Sequence, residues 1–297
     1  MSDTLESLQS KKDTAAELQS VVSTMKAIAA ANIGQYEQSV IALKDYYHTV
    51  LLGIQAWFTN QYAVTNANTV PVPNSDKIIC AVVFGSDQGL VGNFNESLAG
   101  YAKQVLGNRA GKKEIWTVGE RMNTRITDAE LNSTALFTVP NSVNAIAGLV
   151  GEILIKIGQY QEGRPKEIFI FYNTPLPGNT YEPKMQRLLP LDEQWEKAVS
   201  KRGWPTNNLP GITGNVRVTL SALISEYLFV SLFKACAESL ASENSSRLAA
   251  MQRAEKNISD MLDDINQEYQ LFRQNSIDEE LFDVISGFEA LKKTRDR

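Results

Sequence analysis

Two long stretches of the chain, one near each end, place apolar residues at alternating intervals of three and four. The first pattern covers residues 15–57 and the second covers residues 251–265. No glycine or proline interrupts residues 216–286. This spacing puts the apolar side chains on one narrow face of a helix, which is typical of a coiled coil. A lone helix of this length would leave that face in water, so the two stretches are predicted to pack together as antiparallel helices.

The seam of this predicted helical pair, meaning the positions at which the two helices touch, is apolar in both helices. Ala15 and Leu18 belong to it by spacing in the first helix. The alternative is that the two helices are amphipathic and simply lie on a globular domain, but globular helices seldom keep so long a heptad pattern. The central seam positions are Val22, Met25, Met251, Ala254, Ile258, Met261 and Ile265.

The middle of the chain has a different pattern, in which short apolar runs alternate with helical ones. Strands are predicted at residues 77–85, 114–118, 135–139 and 166–172, and helices at residues 96–106 and 142–160. Strands alternating with helices form mostly parallel sheets. The fold class is therefore α/β, with a small Rossmann-like domain inserted in a long antiparallel coiled coil. The predicted segments are residues 1–70, 71–215 and 216–297, and residues 173–215 are expected to be mainly irregular.

Charge and cysteine content narrow the class of protein. The formal net charge is −5, which argues against a general nucleic-acid binder. Cys80 and Cys236 are far apart in sequence and form no CxxC pair, so a reducing compartment is expected. The N-terminus carries acidic residues and no apolar leader. No strictly apolar run approaches the ~18 residues that cross a bilayer, so no membrane span or secretion signal is predicted.

Motifs for catalysis are weak. Residues 85–92 (GSDQGLVG) follow a strand and precede a helix, where an anion-binding turn would lie, but they match neither GxGxxG nor the P-loop. Residues 107–113 (GNRAGKK) resemble a P-loop but are one residue too short and lack the Ser or Thr. His48, the single histidine, is expected on the flank of the first helix. No catalytic, cofactor-binding or metal-binding residue is predicted.

Three segments resemble the gamma subunit of F-type ATP synthase. Residues 84–95 (FGSDQGLVGNFN) are similar to the family's segment after its first strand. Residues 238–257 (ESLASENSSRLAAMQRAEKN) resemble its central C-terminal signature, and residues 272–287 (FRQNSIDEELFDVISG) resemble its ending. Thr24-Met25-Lys26 also matches the family's N-terminal helix. The resemblance covers most of the chain.

The resemblance implies a non-catalytic rotor shaft without a cofactor. In that family the coiled coil stands inside a head of alternating alpha and beta subunits, and the epsilon subunit and the membrane c-ring are further partners. Ion flow, for example proton transport, turns the shaft. The expected location is peripheral, on the cytoplasmic face of the bacterial inner membrane. The motif match places Met25, Lys26, Arg273 and Gln274 against loops of the beta subunits.

Several positions depart from the family pattern, and two other function classes stay open. Residues 32–36 (NIGQY) carry no base where the family usually has several, and Gln88 and Val91 replace an Arg and a Cys. These changes suggest a divergent branch. One alternative is a coiled-coil adaptor that does not rotate. The other is a nucleotide-dependent α/β enzyme that uses the turn at residues 85–92.

Overall fold

The computed structural model describes residues 5–61, 78–159, 166–178, 180–191, 195, 199, 204–206, 208, 211 and 215–295. The chain forms two compact units. One contains Met1–Ile28 and Leu248–Arg297, and the other contains Ala29–Arg247. Residues 71–75, which the sequence predicts to end the first helix region, and residue 160 lie outside the described part.

Two long helices belong to both units. They are α1 (Leu5–Gln61) and, at the other end of the chain, α5 (Val216–Arg295). In the unit of residues 29–247 the two helices run antiparallel, because Asn32 lies beside Asn244 and the Tyr46 hydroxyl donates to Glu226 Oε2 at 2.6 Å. The predicted fold class, long terminal helices around an α/β domain, is confirmed.

The described strands form one sheet in the same unit. They are β1 (Ile78–Phe84), β2 (Lys112–Val118), β3 (Ser133–Phe137), β4 (Lys166–Leu176) and β5 (Thr180–Leu189). Their order is β3-β2-β1-β4-β5. The first four are parallel to their neighbours, and β5 runs antiparallel to β4. The connecting helices are α2 (Phe94–Gly107), α3 (Glu120–Asp128) and α4 (Val143–Gln159).

The central strand β1 is buried on both of its faces. Ile79 and Val83 point to one face, in an apolar cluster with residues of α2 and α3. Val82 and Phe84 point to the other, in a cluster with α4 and with the parts of α1 and α5 that belong to this unit. All seven residues of β1 are buried, which explains its unbroken apolar sequence.

The sequence misses two elements, α3 and β5. Helix α3 buries only Met122 and Ile126, so its apolar pattern is too sparse to indicate a helix. Strand β5 lies at the edge of the sheet, and its first six residues alternate between exposed and half-buried. It contains Pro183, which an edge strand tolerates but which reads as a strand breaker in sequence. The prediction that residues 173–215 are mainly irregular is wrong for β5.

Helix α5 contains a stretch that passes a broader test of apolar length than the one applied to the sequence. Among the described residues, Val218–Ser286 is the one helical stretch that is long and apolar enough to cross a membrane by length and composition, with an 18-residue window of mean hydropathy 1.5. Polar residues scattered in this window hide it from a search for strictly apolar runs. Buried core helices pass the same test, and Val230, Leu232 and Cys236 are buried in the core beside the sheet.

Candidate functional site

Parallel α/β sheets usually bind ligands at the carboxyl ends of their strands, where the strand order reverses. Here that point lies between β1 and β4, because the chain moves from β1 outward to β3 and then returns to the other side of β1. The glycine-rich turn at residues 85–92 begins at this edge. The side chains around it therefore decide whether the turn can hold a nucleotide.

The turn is held by buried side chains of the protein itself. The Asn95 Oδ1 atom accepts a hydrogen bond from the Ser86 backbone N–H at 3.1 Å, and Asn95 Nδ2 donates to Ser86 Oγ at 2.8 Å. Ser86 is fully buried. Two donors and two acceptors are thus satisfied inside the loop, as buried polar groups require.

Asp87, within the turn, accepts two backbone hydrogen bonds from other loops at this edge of the sheet. Its Oδ1 atom accepts from the Glu120 backbone N–H at 3.0 Å, at the start of α3, and its Oδ2 atom accepts from the Val139 N–H at 3.1 Å. A helix N-terminus favours negative charge. The carboxylate of Asp87 therefore occupies the anion-favouring position at the N-terminus of α3.

Two glycines near the turn are needed for close packing. A Cβ atom on Gly85 would lie 2.2 Å from Met122 Cβ, and one on Gly119 would lie 2.6 Å from the Ser86 carbonyl carbon. Gly119 also has φ +103°, a conformation that other residues rarely adopt. These two glycines serve the contact between loops at the sheet edge and do not form a phosphate cradle.

Helix α5 fills the crevice itself. Ser239 Oγ donates to the Phe84 carbonyl at the end of β1 at 3.3 Å, and Ser242 Oγ lies 3.1 Å from the Asn173 carbonyl of β4. Further along, Ser246 Oγ donates to the Val91 carbonyl in the turn. The segment that resembles the family's C-terminal signature thus packs directly on the strand ends.

A buried ion pair follows these serines on α5. The Glu243 carboxylate lies 2.7 Å from Arg247, with side chains 7% and 13% exposed. Burial raises the pKa of Glu243, the Arg247 charge opposes this shift, and Asp87 adds to it. Glu243 Oε2 and Arg247 Nε have no hydrogen-bond partner among the described residues. Because desolvating two charges is costly, this pair within α5 is weak evidence for stability.

The second glycine-rich candidate, residues 107–113, is a turn from α2 into the amino end of β2. Its Arg109 lies 3.5 Å from Glu167 and 4.3 Å over the ring of Phe169. Its Lys112 lies 3.5 Å from Glu114. The basic residues of this turn contact acidic and aromatic groups of the protein, at the edge of the sheet opposite to the ligand-binding one.

Metal and thiol chemistry find no support in the described residues. These residues contain no group of three His, Cys, Asp or Glu side chains that could hold a metal ion. His48 is exposed and lies next to the half-buried Tyr47, on the helix flank where the sequence places it. Cys80 and Cys236 are free and buried, and burial raises the pKa of the Cys236 thiol.

The unit of residues 1–28 and 248–297 contains the ends of both long helices, again antiparallel. Lys26 contacts Glu255, whereas Leu5 lines a groove with Tyr269, so the residue number on α5 rises as that on α1 falls. Met251 is almost fully buried. Five other predicted seam residues are half-buried, namely Val22, Met25, Ala254, Ile258 and Ile265.

Two seam predictions need correction. Met261 is 41% exposed and Leu18 is 49% exposed. Leu262 and Gln19 are half-buried in their place. At these two points the buried positions are therefore spaced four and then three residues apart, whereas the sequence predicts three and then four. The apolar pattern could not decide this, because Met261 and Leu262 are both apolar and because Gln19 is polar.

The four residues predicted to contact beta subunits lie in two separate places. Met25 and Lys26 are half-buried near Glu255, whereas Arg273 and Gln274 are exposed. Eighteen residues separate Glu255 from Arg273 on α5, which corresponds to about 27 Å along a helix. Lys26 is bound to the carboxylate of Glu255, so its charge already has a partner within the unit.

Around Arg273 and Gln274, α5 exposes large apolar side chains, including Phe272, which the heptad spacing places in the seam but which is 42% exposed. Isolated exposed apolar residues are ordinary, but a concentration of them marks a contact surface. The signal was present in the sequence, because apolar residues lie on more than one side of the helix here. They are Leu271, Phe272, Ile277, Leu281, Phe282, Val284 and Ile285, each 42–69% exposed.

Fold and site together define a class of protein: each unit contains an antiparallel pair of helices, and the unit of residues 29–247 adds a doubly wound sheet whose ligand crevice is filled by one of them. The family model described as ATP synthase matches residues 4–291. The chain therefore belongs to the ATP synthase family, as one of its gamma subunits.

Individual relatives agree with this assignment. The ATP synthase gamma chain of Pelagibacter ubique is 27% identical over 97% of this chain and 99% of its own length. That of Trichlorobacter lovleyi is 24% identical over the same shares. Among solved structures, a chain of the Euglena gracilis mitochondrial ATP synthase (OSCP/F1/c-ring) has a TM-score of 0.63 at 16% identity, covering 99% of this chain and 96% of its own length. A chain of the Tetrahymena thermophila mitochondrial ATP synthase central stalk/c-ring has a TM-score of 0.56 at 20% identity, covering 79% and 99%. At these identities the structures support the fold.

Proposed function

We propose that this chain is the central rotor shaft of an F-type ATP synthase and couples ion flow through a membrane ring to conformational change in catalytic beta subunits. The observation that carries the proposal is the filled crevice. Ser239 and Ser242 lie where a nucleotide would lie in an enzyme of this fold. The α/β unit therefore supports the long helices, and no chemical step occurs on this chain.

The shaft acts by differential contact. A two-helix shaft presents different side chains in different directions, so each surrounding beta subunit meets a different face. Contacts that favour one conformation over another shift the population of open and closed nucleotide sites. Turning the shaft moves each beta subunit through these states in sequence. The heptad seam and the ion pair of Lys26 with Glu255 give the pair of helices the stiffness that this task needs.

The contact surface for the beta subunits lies around Arg273 and Gln274. Arg273 offers a planar set of donors for a carboxylate or for carbonyl oxygens. The exposed apolar residues nearby, such as Phe272 and Ile277, also favour a contact between this surface and a partner. Met25 and Lys26 form the second proposed contact. The remaining proposed partners are the alpha subunits, the epsilon subunit and the c-ring, with the complex peripheral on the cytoplasmic face of the bacterial inner membrane.

Reconstitution tests this function. Alpha and beta subunits are mixed with or without the chain, and ATP hydrolysis is measured. A rotor subunit co-purifies with the six-subunit head and restores hydrolysis. A coiled-coil adaptor leaves hydrolysis unchanged, which would overturn the proposal. Titration of the isolated chain with ATP is the matched control, because saturable binding would favour the enzyme alternative instead.

A further inference from the structure

We propose that Ser239, Ser242 and Ser246 fix the rotational setting of α5 on the sheet and are positioning residues for the transmission of torque. This inference rests on the proposed rotor function. It concerns residues that lie within one compact unit, residues 29–247.

The three serines form a stripe on one side of α5. They are separated by intervals of three and four residues, so their side chains leave the helix in nearly the same direction. All three are buried, with exposed fractions of 2%, 0% and 7%. Serine is a poorer helix former than alanine because its hydroxyl competes for backbone hydrogen bonds. Three buried serines in a helix interior therefore weaken the helix unless their hydroxyl groups serve a contact.

The three hydroxyl groups approach carbonyl oxygens on three different parts of the backbone. Ser239 donates to the last residue of β1 and Ser246 to the turn at residues 85–92, whereas Ser242 Oγ lies 3.1 Å from the Asn173 carbonyl of β4. The Ser242 hydroxyl also lies 2.8 Å from the carbonyl of Glu238, one turn earlier in α5. The three attachments extend over about 10 Å of helix, at ~1.5 Å per residue.

These bonds control rotation in a way that apolar packing does not. Apolar contact is non-directional, so apolar packing alone specifies the rotational angle of a helix less sharply than directional bonds do. A hydrogen bond weakens steeply when its angle changes. Turning α5 about its own axis would move all three hydroxyl groups away from their acceptors at once. A fourth bond, from Thr174 to the Glu238 carboxylate at 2.9 Å, acts in the same direction.

The test compares the triple variant Ser239→Ala, Ser242→Ala and Ser246→Ala with Ser245→Ala in the assembled complex. Ser245 is 3% exposed and makes no hydrogen bond to another described residue, so it controls for the loss of a buried hydroxyl group. A bead is attached through Gly100→Cys on α2, where a side chain meets no atom within 4 Å. The native cysteines are buried and do not compete for the label. The angular fluctuation of the bead is recorded while the head is immobilised and held in one nucleotide state.

We expect the triple variant to assemble and to show a several-fold larger variance of the bead angle than the Ser245→Ala control. An equal variance in the two variants overturns the inference, because a purely structural role would change stability and not angular stiffness. If the triple variant does not assemble, Ser246→Ala alone is compared with the control, and the same increase or its absence decides. Failure of the unmodified chain to join the head is a separate result, which overturns the rotor function and this inference with it.

Discussion

The Nζ atom of Lys26 lies 2.6 Å from one carboxylate oxygen of Glu255 and 2.8 Å from the other. The pair joins α1 to α5 within a single compact unit, and both side chains are about one-third exposed. Such a pair contributes only about 0.2–1 kcal/mol to stability. The contact shows the register in which the two antiparallel helices pack.

The first prediction concerns this ion pair. Lys26→Met, Glu255→Gln and the double variant form a mutant cycle, with the free energy of unfolding measured in urea. We expect a coupling energy of about 0.5 kcal/mol that shrinks as salt is added. A coupling energy of zero at low salt would mean that the pair does not form. Since Lys26 is also a proposed contact with beta subunits, ATP turnover of the complex should fall in Lys26→Met more than in Glu255→Gln.

The second prediction uses the corrected seam. Ile258 is half-buried, whereas Met261 is 41% exposed. Ile258→Asp puts an unpaired charge into the apolar seam and should destabilise the chain by about 1–3 kcal/mol. Met261→Asp places the same charge in water and should cost less than ~0.5 kcal/mol. Thermal unfolding followed by circular dichroism at 222 nm, the usual helix band, measures both. Equal losses would restore Met261 to the seam.

The third prediction concerns pH. Burial raises the pKa of Glu243 above its ordinary value of 4.5, so the folded chain binds this proton more tightly than the unfolded chain does. The stabilising effect of that proton is present below pH 4.5 and is lost as the pH rises through the folded-state pKa. The free energy of unfolding should therefore fall as the pH rises from 4.5 through the folded-state pKa of Glu243. Glu243→Gln should flatten the fall, even though it also leaves Arg247 without its charge partner and lowers overall stability. An unchanged slope of unfolding free energy against pH would contradict the assignment.

The fourth prediction concerns Arg273 and Gln274. Both are exposed, so replacing them with alanine should change the stability of the isolated chain by no more than about 0.5 kcal/mol. If they touch beta-subunit loops, hydrogen bonds to charged groups worth roughly 1.5–3 kcal/mol each are lost during rotation. ATP turnover of the assembled double variant should then fall several-fold, and the ion-coupled rate at least as much. Unaltered turnover would leave the two residues as an ordinary solvated helix face.

The sequence predicts the long helices and the central strands well because their patterns are strong. Residues 78–84 are buried on both faces and read as one apolar run, and the heptad pattern continues for many turns. It fails at β5 and α3, where few residues are buried. The sequence also gives no basis for choosing between Met261 and Leu262 as the seam residue, because either residue satisfies the apolar pattern.

The site was harder to predict than the fold. The sequence correctly places the glycine-rich turn after β1, but the groups that contact this turn and the strand ends come from distant parts of the sequence. Asp87 reaches Glu120 and Val139, and Ser239 reaches Phe84 from 155 residues away. Serines on a helix are normally an uninformative signal. Only their spacing of three and four within the signature-like segment hints that they face a partner.

The most direct test of the account is the rotation of this chain inside an alpha/beta head. The head is fixed to a surface, a bead is attached through Gly100→Cys, and ATP is added. The account predicts continuous rotation of the bead in one direction, which stops when ATP is removed. The account would be contradicted if the complex forms but its bead does not rotate, and if the head hydrolyses ATP at the same rate with and without the chain.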